Sequence, residues 1–112
     1  MSEIQRRKAP RYAFIATAEL LDTNNEARIA TRVSELSLHG CYLDMLNPLP
    51  ENTMVLVKIS AGAMVFESKA RVVYVHPNLG VGVIFEDPKP KYLEVLQAWI
   101  KEAELDPERL LK

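Results

Sequence analysis

Apolar and polar residues alternate along most of this chain, and the period of the alternation changes once, near residue 90. Tyr12, Phe14, Ala16, Ala18 and Leu20 share one parity, so Tyr12 to Leu21 reads as a strand with one buried face. Asp22-Thr23-Asn24-Asn25 supplies the residues of a hairpin turn. Ala27, Ile29, Thr31 and Val33 then alternate with Arg28, Ala30 and Arg32, which predicts a second strand antiparallel to the first. Cys41 to Met45 makes a short third strand, and Asn47 to Asn52 a loop, because Pro48 and Pro50 cannot donate to a ladder. Met54 to Ser60 alternates again, Ala61-Gly62-Ala63 reverses the chain, and Met64 to His76 is the longest strand. His76 to Gly80 turns into a sixth strand, Val81 to Glu86. From Pro90 the spacing becomes three and four (Tyr92, Leu93, Leu96, Trp99, Ile100, Ala103), the signature of an amphipathic helix over about 90–104. Asp106-Pro107 has the form of an N-cap and first helical residue, which predicts a short terminal turn over Pro107 to Leu111.

Six short strands on hairpin-length connections and one final helix predict a mainly β fold. The expected form is a small six-stranded antiparallel β-barrel with a C-terminal α-helix docked on the sheet or across a barrel end. No βαβ alternation and no phosphate-binding glycine loop occurs. Residues 1–11 are expected to form a flexible basic arm, since Pro10 biases Ala9 toward extended backbone, and 12–112 a single domain. Met45, Met54 and Met64 are expected in its core.

Composition narrows the class further. A chain of 112 residues buries roughly 65% of its unfolded surface, enough for one core without covalent staples. No apolar run reaches the roughly 20 residues that span a bilayer, and Met1 to Arg6 lacks the apolar stretch of a signal peptide. The lone Cys41 cannot close an intrachain disulfide. The expectation is a cytoplasmic protein without membrane attachment. Net charge is −1, but four cations against Glu3 give residues 1–11 a charge of +3 and leave −4 for the body. An acidic body with a basic arm disfavours DNA and single-stranded nucleic acid, which want a basic face. It suits a small anionic ligand gripped by the arm.

Two stretches carry chemistry. Arg7 and Arg11 lie four apart on a non-helical arm, and each offers a planar fork for a phosphate, for the O6/N7 edge of guanine or for stacking. Glu35-Leu36-Ser37-Leu38-His39-Gly40 follows the second strand. In extended chain Glu35 and Ser37 project to one side and Leu36 and Leu38 to the other. The carboxylate can accept from a guanine N1/N2 edge, the hydroxyl can reach a phosphate or base, and Gly40 allows positive φ or close backbone approach. His39 and Cys41, without a second pair, make a poor metal site. Ser37 lacks a nucleophile-elbow context, so neither a metal nor a catalytic residue is assigned. Arg32 reads as a surface strand residue with an outside claim on a phosphate.

An RxxxR pair near the N-terminus, followed by [D/N]xSxxG and a small barrel, resembles the PilZ domain family. Arg7 and Arg11 match the arginines, Ser37 and Gly40 the second motif, and Gly80 to Phe85 the family's last strand, over essentially the whole chain. Glu35 departs from the motif's Asp or Asn by one methylene. The resemblance implies a non-enzymatic bacterial receptor for cyclic di-GMP, with no cofactor. The implied site is Arg6, Arg7, Arg11, Glu35, Ser37 and Gly40, with Arg6 as the third arginine of the arm. It also implies that the arm orders over the ligand, held as one molecule or as an intercalated dimer, and that the signal passes to an unidentified protein effector. The alternative is a PilZ adaptor that has lost its ligand and acts through protein contact; the last helix has two options, to cap its own barrel or to pair with a second chain in a homodimer.

Overall fold

The alternation closes on itself in a computed structural model that describes residues 10–105 and 110–111. Strands β1 (Arg11–Asp22), β2 (Arg28–Leu36), β3 (Gly40–Asp44), β4 (Met54–Ala61), β5 (Met64–His76) and β6 (Gly80–Glu86) precede helix α1 (Pro90–Glu104) and a two-residue strand β7 (Leu110–Leu111). The strands run β2-β3-β6-β5-β4-β1, and antiparallel pairing of β1 with β2 closes the ring into a six-stranded barrel. Closure removes the exposed edges that an open sheet of this size would present.

One parity of β1 fills the interior, with Tyr12, Phe14, Ala16, Ala18 and Leu20 all buried. Val55, Val57 and Ile59 of β4 meet them, and Phe66 and Val72 of β5 complete that side. Helix α1 lays Leu96, Trp99, Ile100 and Ala103 against the barrel, and Trp99 stacks at a tilt on Phe14 with ring centroids 5.2 Å apart. Its last turn is tied down by the Tyr12 hydroxyl, which donates to Glu104 Oε2 at 3.3 Å.

Several expectations change. Leu110–Leu111 is strand, not helical turn: it pairs with Tyr12 and Arg11, where β4, reaching only as far as Thr17, leaves β1 without a neighbour on that side. Pairing there satisfies backbone groups that a lone turn would leave to water. Asp106 and Pro107 lie outside the described residues, as do residues 1–9 of the expected arm, Arg6 and Arg7 among them. Arg11 itself opens β1. Met45 is buried and Met54 half-buried, but Met64 is exposed, because it sits at the open end of the β4–β5 hairpin, beside Gly62 at φ +61°.

The largest departure is a parity break. In β2, Val33 pairs with Leu43 and Glu35 with Tyr42, so Ser34 is an extra residue against β3. A bulge of this kind flips the faces. Val33 and Leu36, three apart, both enter the core, and Glu35 stays on the outer wall as part of a strand rather than a turn. Leu38, expected to share the side of Leu36, is exposed on the turn that follows.

Candidate functional site

Beyond the bulge, the strand registers set one row of residues across the outside of the barrel. Ala13 of β1 faces Glu35 of β2, Glu35 faces Tyr42 of β3, Tyr42 faces Gly82 of β6, and Gly82 faces Tyr74 of β5. Arg11, two residues before Ala13 and therefore on the same face, brings its guanidinium to this row. Its Nη1 lies 2.9 Å from Glu35 Oε1 and donates to the Tyr74 hydroxyl at 3.4 Å. An open groove of about 520 Å³ runs along these residues and past Ser37 and Gly40.

The pair is only about a quarter exposed, 26% at Arg11 and 25% at Glu35. Charges this sheltered interact more strongly than charges in open water. The contact is ionic but misaligned. Among the described residues, neither Arg11 Nε nor Glu35 Oε1, both closed off from solvent, has a hydrogen-bond partner. Buried polar atoms normally find one, so the site holds one donor and one acceptor in reserve.

The Ser37 turn is built differently from its sequence reading. The Ser37 hydroxyl accepts from the His39 and Gly40 backbone N–H groups, both at 3.2 Å, and donates to the Gly40 carbonyl at 3.3 Å. The Ser37 N–H reaches that same carbonyl at 2.9 Å. One donor and two acceptors exhaust a hydroxyl, so Ser37 shapes the turn and has no free proton to offer a ligand in this state. Gly40 is required for proximity, not for positive φ: a Cβ there would lie 2.0 Å from the Val83 carbonyl oxygen. Arg32 is bound at the surface by Asp44, Nε to Oδ2 at 2.6 Å. His39 is exposed and Cys41 buried, and burial pushes the Cys41 thiol far up, away from reactive thiolate. No cluster of three metal-ligating side chains occurs among the described residues, and no described helix is long and apolar enough to cross a membrane.

The structure thus brings Arg11 and Glu35 together beside the turn of Ser37 and Gly40. Tyr42 and Tyr74 are the site residues that the sequence reading passed over. Their signal was present, since both are outward-facing aromatics on strands that flank the small Gly80-Val81-Gly82 strand.

The PilZ domain family model matches residues 5–102. Solved structures agree on the fold. The Bacillus subtilis inhibitor of motility (MotI/DgrA) superposes with a TM-score of 0.77 at 15% identity, over 97% of this chain and 56% of that one. The PilZ domain of YcgR from Escherichia coli, with c-di-GMP, gives 0.75 at 17% over 92% and 95%. YcgR of the same organism in complex with c-di-GMP gives 0.76 at 20% over 92% and 48%. This chain spans about half the length of the first and third of these proteins. No curated protein matches it.

Proposed function

Since this chain belongs to the PilZ domain family, we propose that it binds cyclic di-GMP through Arg6, Arg7 and Arg11 of the N-terminal segment together with Glu35 and the turn of Ser37 and Gly40. The observation that carries this reading is the sheltered Arg11–Glu35 pair, 2.9 Å apart, with a donor and an acceptor still unmatched among the described residues. A bis-guanine, bis-phosphate ligand offers what the two atoms lack. Phosphate oxygens or a guanine O6/N7 edge accept from arginine, and a guanine N1/N2 edge donates to a carboxylate. Two of the structures that this fold resembles hold that ligand. Ser37 and Gly40 act as builders: the hydroxyl holds the turn, and the missing Cβ lets the turn lie against β6.

Arg6 and Arg7 precede Arg11 by only a few residues, so a ligand seated on Arg11 lies within their reach. Closing that segment over the ligand would change the surface presented to an effector, an order–disorder switch of known type. The chain acts as a ligand-binding and adaptor domain rather than as a catalyst.

A second reading is favoured by one specific observation. Glu35 is long enough to touch Arg11 directly, and a carboxylate that already neutralises the arginine competes with an anionic ligand. A chain silenced in this way would work as an adaptor alone.

Isothermal titration of cyclic di-GMP into the purified protein separates the two. Arg7→Ala, Arg11→Ala and Ser37→Ala should each weaken binding by about tenfold or more, which is about 1.4 kcal/mol, and the stoichiometry gives one ligand or an intercalated pair. Absence of binding in the wild type, with recovery in Glu35→Asp, would establish the silenced adaptor instead.

A further inference from the structure

Another groove, of about 720 Å³, opens where β4 falls short of β1. The β4–β5 hairpin ends at Ala61 and Met64, and β4 meets β1 only from Thr17 onward, so Phe14 and Ile15 overhang it. Helix α1 walls the groove with Ala98, Lys101, Glu102 and its C-cap Leu105. These recur at the three- and four-residue spacing that sets side chains on one helix face. The neighbouring stripe of Leu96, Trp99, Ile100 and Ala103 is already spent on the barrel.

This groove gathers apolar surface that the fold leaves in water. Ile15 is 65% exposed, Met64 40% and Leu105 80%, and all three border it. Single exposed apolar residues need no cause, but a contiguous group marks a contact face. Small residues lie between the large ones. Ala61, Ala63 and Ala98 add little bulk, and a Cβ placed on Gly62 would meet nothing within 4 Å. The rim carries one charge of each sign, Lys101 and Glu102, exposed and adjacent on α1. Knobs and hollows, cation and anion thus stand on one face, which makes it complementary to itself. A face for a charged effector carries an excess of one sign; this one carries none.

We infer that this face binds a second copy of the chain, in a twofold dimer formed by α1 and the tip of the β4–β5 hairpin. A twofold contact uses the same patch on both copies, so the patch must complement itself. Antiparallel α1 stripes set Lys101 against the partner's Glu102, and Glu102 against the partner's Lys101. The large apolar side chains of each copy then enter the hollows around Gly62 of the other. The face is smaller than the roughly 20–30 residues a side of a standard interface, so the dimer is weak and depends on concentration. The inference stands apart from the ligand, since neither Arg11 nor the Ser37 turn borders this groove.

Sedimentation velocity of the wild-type protein, from about 5 μM to about 500 μM, reads the association directly. The sedimentation coefficient should rise from the monomer value toward the dimer value over that range. A constant monomer value overturns the inference and leaves the face to an effector. Charge reversal then tests the face itself. Lys101→Glu and Glu102→Lys each bring like charges together at two places, because the axis repeats the contact, and each should weaken self-association by about tenfold. An equimolar mixture of these two variants restores opposite signs at both places, so it should associate as the wild type does. Ile15→Glu puts a charge into the apolar centre and should leave only monomer. Its side chain is already exposed, and thermal unfolding close to that of the wild type checks that the fold is kept. Reversal variants or a folded Ile15→Glu that self-associate like wild type, or a mixture no stronger than its components, would put the dimer on another face and overturn the inference.

Discussion

Two outer faces of the same barrel handle charge in opposite ways. On the wall formed by β1, β4 and β5, Glu19 faces Lys58 and Lys58 faces Glu67, all exposed and alternating in sign across the strands. Glu19 also stands 3.9 Å from Arg28, with side chains 50% and 68% exposed. Such pairs are screened and individually worth little. On the wall that runs from the start of β1 over β2, β3, β6 and β5, one pair, Arg11 and Glu35, is drawn in among two tyrosines and two glycines and keeps polar atoms unmatched among the described residues. Charge count does not mark a site here: Arg32–Asp44 and Arg71–Glu86 stand on the same strands, with side chains 34–60% exposed. What marks it is unfinished hydrogen bonding held in place by rigid, close-packed backbone.

That rigidity can be broken most severely at Gly40. A methyl group 2.0 Å from the Val83 carbonyl has no flexible neighbour to displace, so the β3–β6 pairing must open. Gly40→Ala is expected to cost about 3 kcal/mol in denaturant unfolding, the upper part of the usual range for overpacking, and to lose ligand binding with it. Gly62→Ala is the control. Its surroundings are open and only φ +61° resists the substitution, so about 1 kcal/mol is expected there with ligand binding unchanged. Equal costs at the two positions would contradict the idea that the site wall is the tightly specified one.

How much of this the sequence disclosed depends on which physical rule governed each part. The six strands and the helix follow from period, and in β1 the parity of Tyr12 through Leu20 carries straight into the core. The extra residue at Ser34 breaks the rule. Nothing in Val33-Ser34-Glu35 announces a bulge, because its cause is the joint register of β1, β2 and β3. Period alone therefore puts Glu35 beyond the second strand, and Leu36 and Leu38 on the same side. Ser37 was legible as a turn residue but not as one whose hydroxyl is fully consumed there. The tyrosine row is assembled from three strands far apart in sequence, so only pairing reveals it. Leu110–Leu111 takes its conformation from a gap beside β1 and not from its own propensity.

A smaller effect sharpens the contrast in charge. Glu35→Gln removes the negative charge facing a guanidinium that is about three-quarters buried, and about 1 kcal/mol of stability should go with it. Lys58→Ala on the solvated wall should change stability by less than about 0.5 kcal/mol. A double-mutant cycle between Arg11→Met and Glu35→Gln is the cleaner measurement, since it removes each residue's separate packing contribution. A coupling energy near zero would place the Arg11–Glu35 pair in the same category as Glu19 and Arg28.

The smallest expected effect lies in alkali, and it reads the same wall through Tyr42. Burial raises the Tyr42 phenol above its ordinary value, and the neighbouring Tyr74, Asp44 and Glu35 add to the shift as negative charges. The folded protein thus holds this proton more tightly than the unfolded chain does. Below about pH 10 the phenol is neutral in both states and contributes no pH dependence. Above that point the unfolded chain ionises first, so stability falls as pH rises through the window between the two values. Denaturant unfolding of wild type and Tyr42→Phe at about pH 9 and about pH 11 isolates the residue, because Tyr12, raised in the same direction by burial and by Glu104, is common to both proteins. The wild type should lose more stability than the variant over that interval. Adding Glu35→Gln to both should narrow the difference, since one of the charges that holds the proton on Tyr42 is then gone. A difference that Glu35→Gln leaves unchanged would mean that burial, Tyr74 and Asp44 set the phenol without Glu35, and that the carboxylate and the tyrosine, though opposite each other across β2 and β3, do not share a field.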